Sequence, residues 1–459
     1  MTERRVERVL IGARGGAGLA ALRALEAGGC EGVVLMADQD AHQAWIDEVA
    51  YAVHVGQGAD GRWPDWFKVA SVCLDAGCDA VLPLHPELSG HVGLAERLSS
   101  MNCGELGPGR EGLALAADWV GFLELARAAS IRVVPAVDLG QDLGRALAEG
   151  EAWAQRWGNP LWLRVRRPDG GVLTKRLASV EEAREQIEAC FPLGRLSMLH
   201  HPPHARIVEV PIIGDGEGEL VALGDREVTI WREGQGVLVE APAADVPEAV
   251  RSGMVEDALR LLRPVRWRGV GAVCFALTAD GRAFLRELKA GLQPWYAVTE
   301  AAYGLDLVDG IIRMAEGQPL GWSQDEIVPG GAAMLMRLFV EAGAPLPEHV
   351  EVSPSAPRPD EDEDDEGGDD GERPGFEIGS VSLPEGLTVD VPLVAGDRVA
   401  VGEELGQILV DAPTRQSCIV RAKAALDHLD ITGVVHTGAV LERVLSEANY
   451  WRGPAGGEM

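Results

Sequence analysis

The sequence predicts an α/β protein of two or three domains, and three observations predict it. At 459 residues the chain exceeds one typical core, and its 46% hydrophobic content with 57 glycines suits a soluble α/β protein. It opens as strand, glycine loop, amphipathic helix and strand: ERVLIGARGGAG (residues 7–18), LAALRALEAGG, then residues 32–36, which is one βαβ unit. Further on, apolar residues alternate in two halves of 206–242, the pattern of paired strands.

Composition narrows the function. A net charge of −31 opposes binding to nucleic acid or an anionic membrane. No apolar run reaches about 18 residues, so no membrane span is expected. The start, MTERRVERVLIG, reads as a first strand and not as a signal peptide. The 7 cysteines are odd in number and scattered, which fits a reducing compartment and predicts a cytoplasmic protein. Cys73 and Cys78 have no second pair in the sequence and read as buried thiols.

In chain order, the glycine loop at 12–18 has imperfect dinucleotide spacing and reads as a turn packing helix on strand, with a phosphate cradle as the alternative. Residues 79–81 form a third strand, and 111–129 a helix. Segment 158–176 reads as strand, ordinary turn (Arg166 to Gly171) and strand. Arg164, Arg166 and Arg167 on it read as a solvated edge, with an anion site as the alternative. His200, His201 and His204 invite a metal reading. The prolines among them favour a solvent-exposed loop. The apolar run 283–285 leads to Glu287, a carboxylate at a strand mouth, where Mg-nucleotide enzymes hold metal. Residues 345–376 are proline-rich and then carry ten acids within 360–372; such a segment cannot bury enough apolar surface to order itself. It reads as a solubilising loop, with an acidic arm for a basic partner as the alternative. Residues 395–405 look like half a biotinyl or lipoyl hammerhead, but no carrier lysine lies there.

The series of motifs, in this order, resembles the biotin carboxylases, the ATP-grasp enzymes that carboxylate biotin. Residues 282–300, RAFLRELKAGLQPWYAVTE, are similar to the family's F-x-E-M-N-x-R-L-Q-V-E-H-P-V-T-E through Glu287, Leu292, Gln293, Val298, Thr299 and Glu300. Residues 206–242 match R-H-I-E-I-Q-V-L-A-D-G and L-G-E-R-D-C-S-I-Q at Arg206, Glu209, Asp215, Leu223, Gly224, Arg226 and Ile230, among others. Residues 267–275 match Y-R-G-A-G-T-V-E-F, 106–108 match I-G-P, and 425–434 resemble A-L-D-E-F-V-I-E-G-V. The resemblance covers about residues 8–453. It implies a three-part architecture: an N-terminal βαβ domain (1–115), an ATP-grasp domain (116–329) with a small lid subdomain (136–203), and a C-terminal α/β domain (330–459) carrying the acidic insert at 345–376.

The departures fall on groups the family's chemistry uses. The resemblance places its nucleotide lysines at Trp119 and Arg164. The glutamine of S-I-Q is Trp231, and the following histidine and lysine are Gly234 and Gly236. The glutamate of T-V-E-F, a metal ligand in the family, is Cys274. The asparagine and arginine after Glu287 are Lys289 and Gly291, Val-Glu-His is Pro294-Trp295-Tyr296, and a substrate-site arginine is Thr388. Only four lysines (68, 175, 289 and 423) remain in the chain. Glu287, Gln293, Arg226 and Arg164 are the residual site positions.

A lone Glu287 with a cationic Lys289 is a poor magnesium site, and an internal Glu287–Lys289 pair is expected in its place. Indoles at 119, 231 and 295 predict a pocket filled from within. These substitutions imply a catalytically silent homologue with no ATP, magnesium or other cofactor. It would be a structural or regulatory subunit paired, as homo- or heterodimer, with an active biotin carboxylase or other acyl-CoA carboxylase subunits. The alternative is an ATP-grasp ligase that keeps ATP-dependent activity on biotin or a changed substrate.

Overall fold

The computed structural model describes residues 5–13, 15–36, 49–56, 66–158, 161–168, 172–177, 179–232, 235–341 and 376–447. Gly234, the turn at 169–171 and nearly all of the acidic segment, 342–375, lie outside them.

The N-terminal part is a parallel sheet in the order β3-β2-β1-β4-β5. Its strands are β1 (Arg8–Gly12), β2 (Glu31–Met36), β3 (Ala52–His54), β4 (Ala80–Pro83) and β5 (Gly104–Glu105). Both faces are covered, so β1 and β2 are almost wholly apolar, as parallel strands require. The glycine loop before the helix Gly15–Ala27 is explained by packing. A Cβ on Gly16 would lie 2.5 Å from the Asp390 carbonyl oxygen, so only glycine lets the helix start this close to the C-terminal strands. Arg23 on the same helix pairs with Asp390.

The expected helix over 111–129 is two helices, Gly109–Ala117 and Trp119–Ala128. The break is Asp118. Its side chain accepts from the Gly121 N–H and caps the second helix, at the cost of continuing the first. A short helix, Pro86–Ser89, follows β4.

A small antiparallel sheet follows, β6-β9-β7-β8, built from β6 (Ala136–Gly140), β7 (Leu161–Arg166), β8 (Val172–Leu177) and β9 (Arg195–His200). It has its own core, with Leu163, Ile187 and Met198 at its centre. The strand carrying Arg164 is therefore interior to this sheet and not the solvated edge expected. Arg164 is largely buried.

The largest sheet has ten strands and runs β15-β14-β10-β12-β13-β16-β21-β19, with β11 on β10 and β23 on β16. These are β10 (Arg206–Asp215), β11 (Leu220–Ala222), β12 (Arg226–Arg232), β13 (Gln235–Ala241), β14 (Arg268–Leu277), β15 (Ala283–Ala290) and β16 (Ala332–Glu341). After two short strands, β17 (Phe376–Glu377) and β18 (Val381–Ser382), come β19 (Thr388–Asp390), β20 (Arg398–Val399), β21 (Glu404–Ala412), β22 (Asp430–Ile431) and β23 (Val435–His436). One sheet thus runs from the middle of the chain into its C-terminal part, and the strands β13 and β16 join them. Among the described residues no helix is long and apolar enough to cross a membrane.

Candidate functional site

Register builds the site. Arg226 on β12 lies opposite Glu209 on β10, Glu209 opposite Cys274 on β14, and Cys274 opposite Glu287 on β15. Four strands thus present one transverse row, Arg226–Glu209–Cys274–Glu287. The ladder slips by one residue just past Cys274, which re-aims the end of the row.

Glu209 is the hub, and nothing in the sequence marked it beyond a motif match. It is fully buried. Lys289 Nζ donates to one of its oxygens at 2.7 Å. Arg226 Nε and Trp295 Nε1 donate to the other at 2.8 and 2.9 Å. Burial pushes this carboxyl up, but Lys289, Arg226 and the Trp295 N–H overcome it and hold it at about 2. The Lys289 ammonium also lies 4.4 Å from the Trp231 ring centre and 4.8 Å from that of Trp295, so two indole faces flank it. The two rings meet edge to face at 5.7 Å.

The expected Glu287–Lys289 ion pair is not what forms. The ammonium goes across the ladder to Glu209 instead, with the two indole faces flanking it. Glu287 is held instead by two arginines. Arg286 bonds one oxygen and Arg164, from the small sheet, lies 3.5 Å from the other. Burial pushes the Glu287 carboxyl up, yet Arg286, Arg164 and Lys289 leave it below the usual range. Arg286 was not identified from sequence.

Trp119 is buried, and Arg164 lies 4.7 Å above its ring. Trp119 Nε1 donates to the Arg286 carbonyl at 2.7 Å. Of His200, His201 and His204, only His204 is exposed. His200 ends β9 with its ring stacked on Trp157, and His201 is buried against the Ala205 carbonyl, so the expected exposed loop is corrected. Burial and the nearby Arg286 push His201 down to about 4, and it is neutral at pH 7. Among the described residues no group of three His, Cys, Asp or Glu is placed to hold a metal ion.

The loop after β15 is tied to itself. Gln293 donates its amide to the Ala290 and Gly291 carbonyls at 3.2 and 3.3 Å. Gly291 has φ +75, the left-handed region that favours glycine. Pro294 and Trp295 are buried behind it. Gly236 faces Trp295: a Cβ there would meet Val228 at 3.1 Å, Val239 at 3.2 Å and the indole at 3.4 Å. Restoring a lysine by Gly236→Lys is expected to destabilise by about 1–3 kcal/mol through overpacking. Adding Trp295→Ala is expected to recover part of that, and a thermal double-mutant cycle measures the coupling. Thr388 is exposed on β19, away from the row. Arg337, also missed, is buried on β16, pairs with Glu404 at 2.7 Å and donates to the Gly236 carbonyl at 3.3 Å.

Glu300 lies in the helix Ala297–Tyr303 and accepts from the Leu307 N–H at 2.6 Å. Burial pushes its carboxyl up to about 7. Its folded value is raised, so its contribution to stability is complete below about 4.5 and is lost as pH rises through about 7. The expected result is a loss of about 2–3 kcal/mol between pH 5 and pH 8, abolished in Glu300→Gln, read by denaturant titration at both pH values.

A magnesium–nucleotide enzyme would need two carboxylates with free oxygens at this row. Here both oxygens of Glu209 and of Glu287 already face cations or an indole N–H. Cys274 stands between them, and burial, with Glu209 beside it, pushes its thiol far up, so it supplies no thiolate. This donor set does not fit magnesium.

The family models match in order along the chain. Residues 5–113 match "Biotin carboxylase, N-terminal domain", and 118–322 match "Carbamoyl-phosphate synthase L chain, ATP binding domain". The biotin carboxylase of Nostoc sp. is 25% identical over 459 residues, covering 97% of each chain. The chain belongs to the biotin carboxylase family. The biotin carboxylase fold extends through the C-terminal part. The Campylobacter jejuni biotin carboxylase, solved as a complex with "beta-gamma-ATP", superposes with a TM-score of 0.80 over 98% of this chain and 97% of that one, at 20% identity. The biotin carboxylase domain of Hydrogenobacter thermophilus 2-oxoglutarate carboxylase gives 0.81 over 99% and 96%, also at 20% identity. Among longer relatives, pyruvate carboxylase 1 of Caenorhabditis elegans is 30% identical over 353 residues, 74% of this chain. The human mitochondrial propionyl-CoA carboxylase α chain is 25% identical over 461 residues, 98% of this chain. The chain spans only 30% of the first of these proteins and 60% of the second.

Proposed function

We propose that this biotin carboxylase homologue is catalytically silent and serves as a structural or regulatory subunit of a biotin-dependent acyl-CoA carboxylase. The observation that carries this reading is the double neutralisation of the row. Glu209 is bonded by Lys289, Arg226 and Trp295, and Glu287 by Arg286 and Arg164. Mg needs oxygen ligands and net negative charge, and a row that meets cations on every carboxylate oxygen offers neither. The packing of Trp119, Trp231 and Trp295 around these cations supports the same reading. The partner is proposed as an active biotin carboxylase or another carboxylase subunit, because relatives that this chain matches include the α chain of propionyl-CoA carboxylase.

One specific observation favours a second reading, an ATP-grasp ligase that retains activity. Nε and Nη1 of Arg164 and Nε of Arg286 are buried without a hydrogen-bond partner, and a phosphate would satisfy them. Calorimetry separates the two readings: no heat with MgATP up to millimolar concentration supports the silent subunit, and saturable binding supports the ligase. Affinity purification from the native organism tests the partner; recovery of the chain with no carboxylase subunit would sink that part.

A further inference from the structure

We propose that the small sheet is latched onto the ten-stranded sheet by a reciprocal exchange of arginine and tryptophan, which holds this chain in one closed arrangement. The small sheet has its own core and joins the rest through only two crossings, near residues 129–135 and 201–205. A unit attached in this way moves by default unless its interface fixes it.

What crosses the interface is specific. Arg164 of the small sheet lies over Trp119 of the core at 4.7 Å and reaches Glu287 at 3.5 Å. In the opposite sense, Arg286 of the core lies over Trp162 of the small sheet at 5.5 Å. Glu287 joins the two arginines, one oxygen to each. Trp119 Nε1 bonds the Arg286 carbonyl at 2.7 Å, so the platform under one arginine is anchored to the backbone of the other. Around the exchange, Trp162 and Leu199 of the small sheet share one apolar cluster with Trp119, Phe122 and Leu285. The entering crossing is pinned as well: Val134 N–H donates to the Leu285 carbonyl at 3.0 Å, and Leu285 N–H to that of Arg132 at 2.8 Å. Each side thus supplies one cation and one aromatic face, and separation would break both pairs and the shared carboxylate together. As a consequence resting on the proposed silent role, a closed small sheet gives a partner subunit a constant surface.

The test uses the full chain with spin labels, carried by a non-canonical amino acid, at Glu185 on the small part and Glu256 on the core. Both positions are exposed. Pulsed dipolar spectroscopy on the ligand-free protein is expected to give one narrow distance distribution. Arg164→Ala/Arg286→Ala is expected to broaden it towards longer distances. Glu287→Gln, which keeps side-chain shape and removes only the shared anion, is expected to do so more weakly, and it serves if the double variant does not fold. A broad wild-type distribution overturns the latch, and so does a folded variant indistinguishable from wild type. Saturable MgATP binding by the wild-type chain with its narrow distribution unchanged overturns the silent reading and leaves the latch standing.

Discussion

Glu209→Ala is expected to destabilise the protein by about 3–5 kcal/mol, the usual cost of removing one partner from a buried charged network. The carboxylate is fully buried and is the only anion bonded to Lys289 and Arg226 among the described residues. Without it, two cations remain in a site lined by Trp231 and Trp295. Arg226 keeps its contact to Thr299 at 3.3 Å, whereas Lys289 keeps only indole faces. Thermal unfolding of the purified variant measures the loss. The pH response has a definite sign. Glu209 is depressed to about 2, so its contribution is complete above about 4.5 and is lost as pH falls through that window. The variant is therefore expected to lose most of the wild-type acid transition between pH 4.5 and 2. Replacing the whole set with Glu209→Leu, Lys289→Met and Arg226→Met is expected to cost far less than Glu209→Ala alone, because no charge is left unpaired.

The second large effect is expected from Trp119→Lys, which returns the residue that the family resemblance places there. Removing a buried indole costs about 3–5 kcal/mol. The new ammonium would also sit beside Arg164, whose guanidinium lies over the present ring. Trp119→Phe keeps an aromatic face for Arg164 but loses the 2.7 Å bond to the Arg286 carbonyl, and is expected to cost about 1–2 kcal/mol. Chemical denaturation of both variants checks the order. A stabilised Trp119→Lys would show that the indole is not a fitted replacement.

Much of the fold was legible because the motifs recur in order along the chain, and order survives where single residues do not. Cys274, Lys289 and the three indoles were all picked out as positions where chemistry had changed, and Glu287 as one that survives. Which of them touch was not legible. Glu209 sat in a strand as one motif match among many, and only the register of β10 between β12 and β14 makes it the centre of the row. Arg286 was passed over because it fills an ordinary position in an apolar strand. Its importance comes from Trp162, more than a hundred residues away in sequence. The Lys289 pairing was misread because sequence proximity favours Glu287, whereas burial and the indole cage favour Glu209. Asp118 was read through as helix because its capping role depends on where the chain turns.

The central claim is that the row of carboxylates is closed to magnesium and therefore to ATP chemistry. The most direct measurement is phosphate release by the purified full-length chain with MgATP, bicarbonate and free biotin, beside an active biotin carboxylase assayed identically. The account predicts no biotin-dependent turnover above a no-protein control. Biotin-dependent phosphate release that is lost in Glu287→Gln would contradict it.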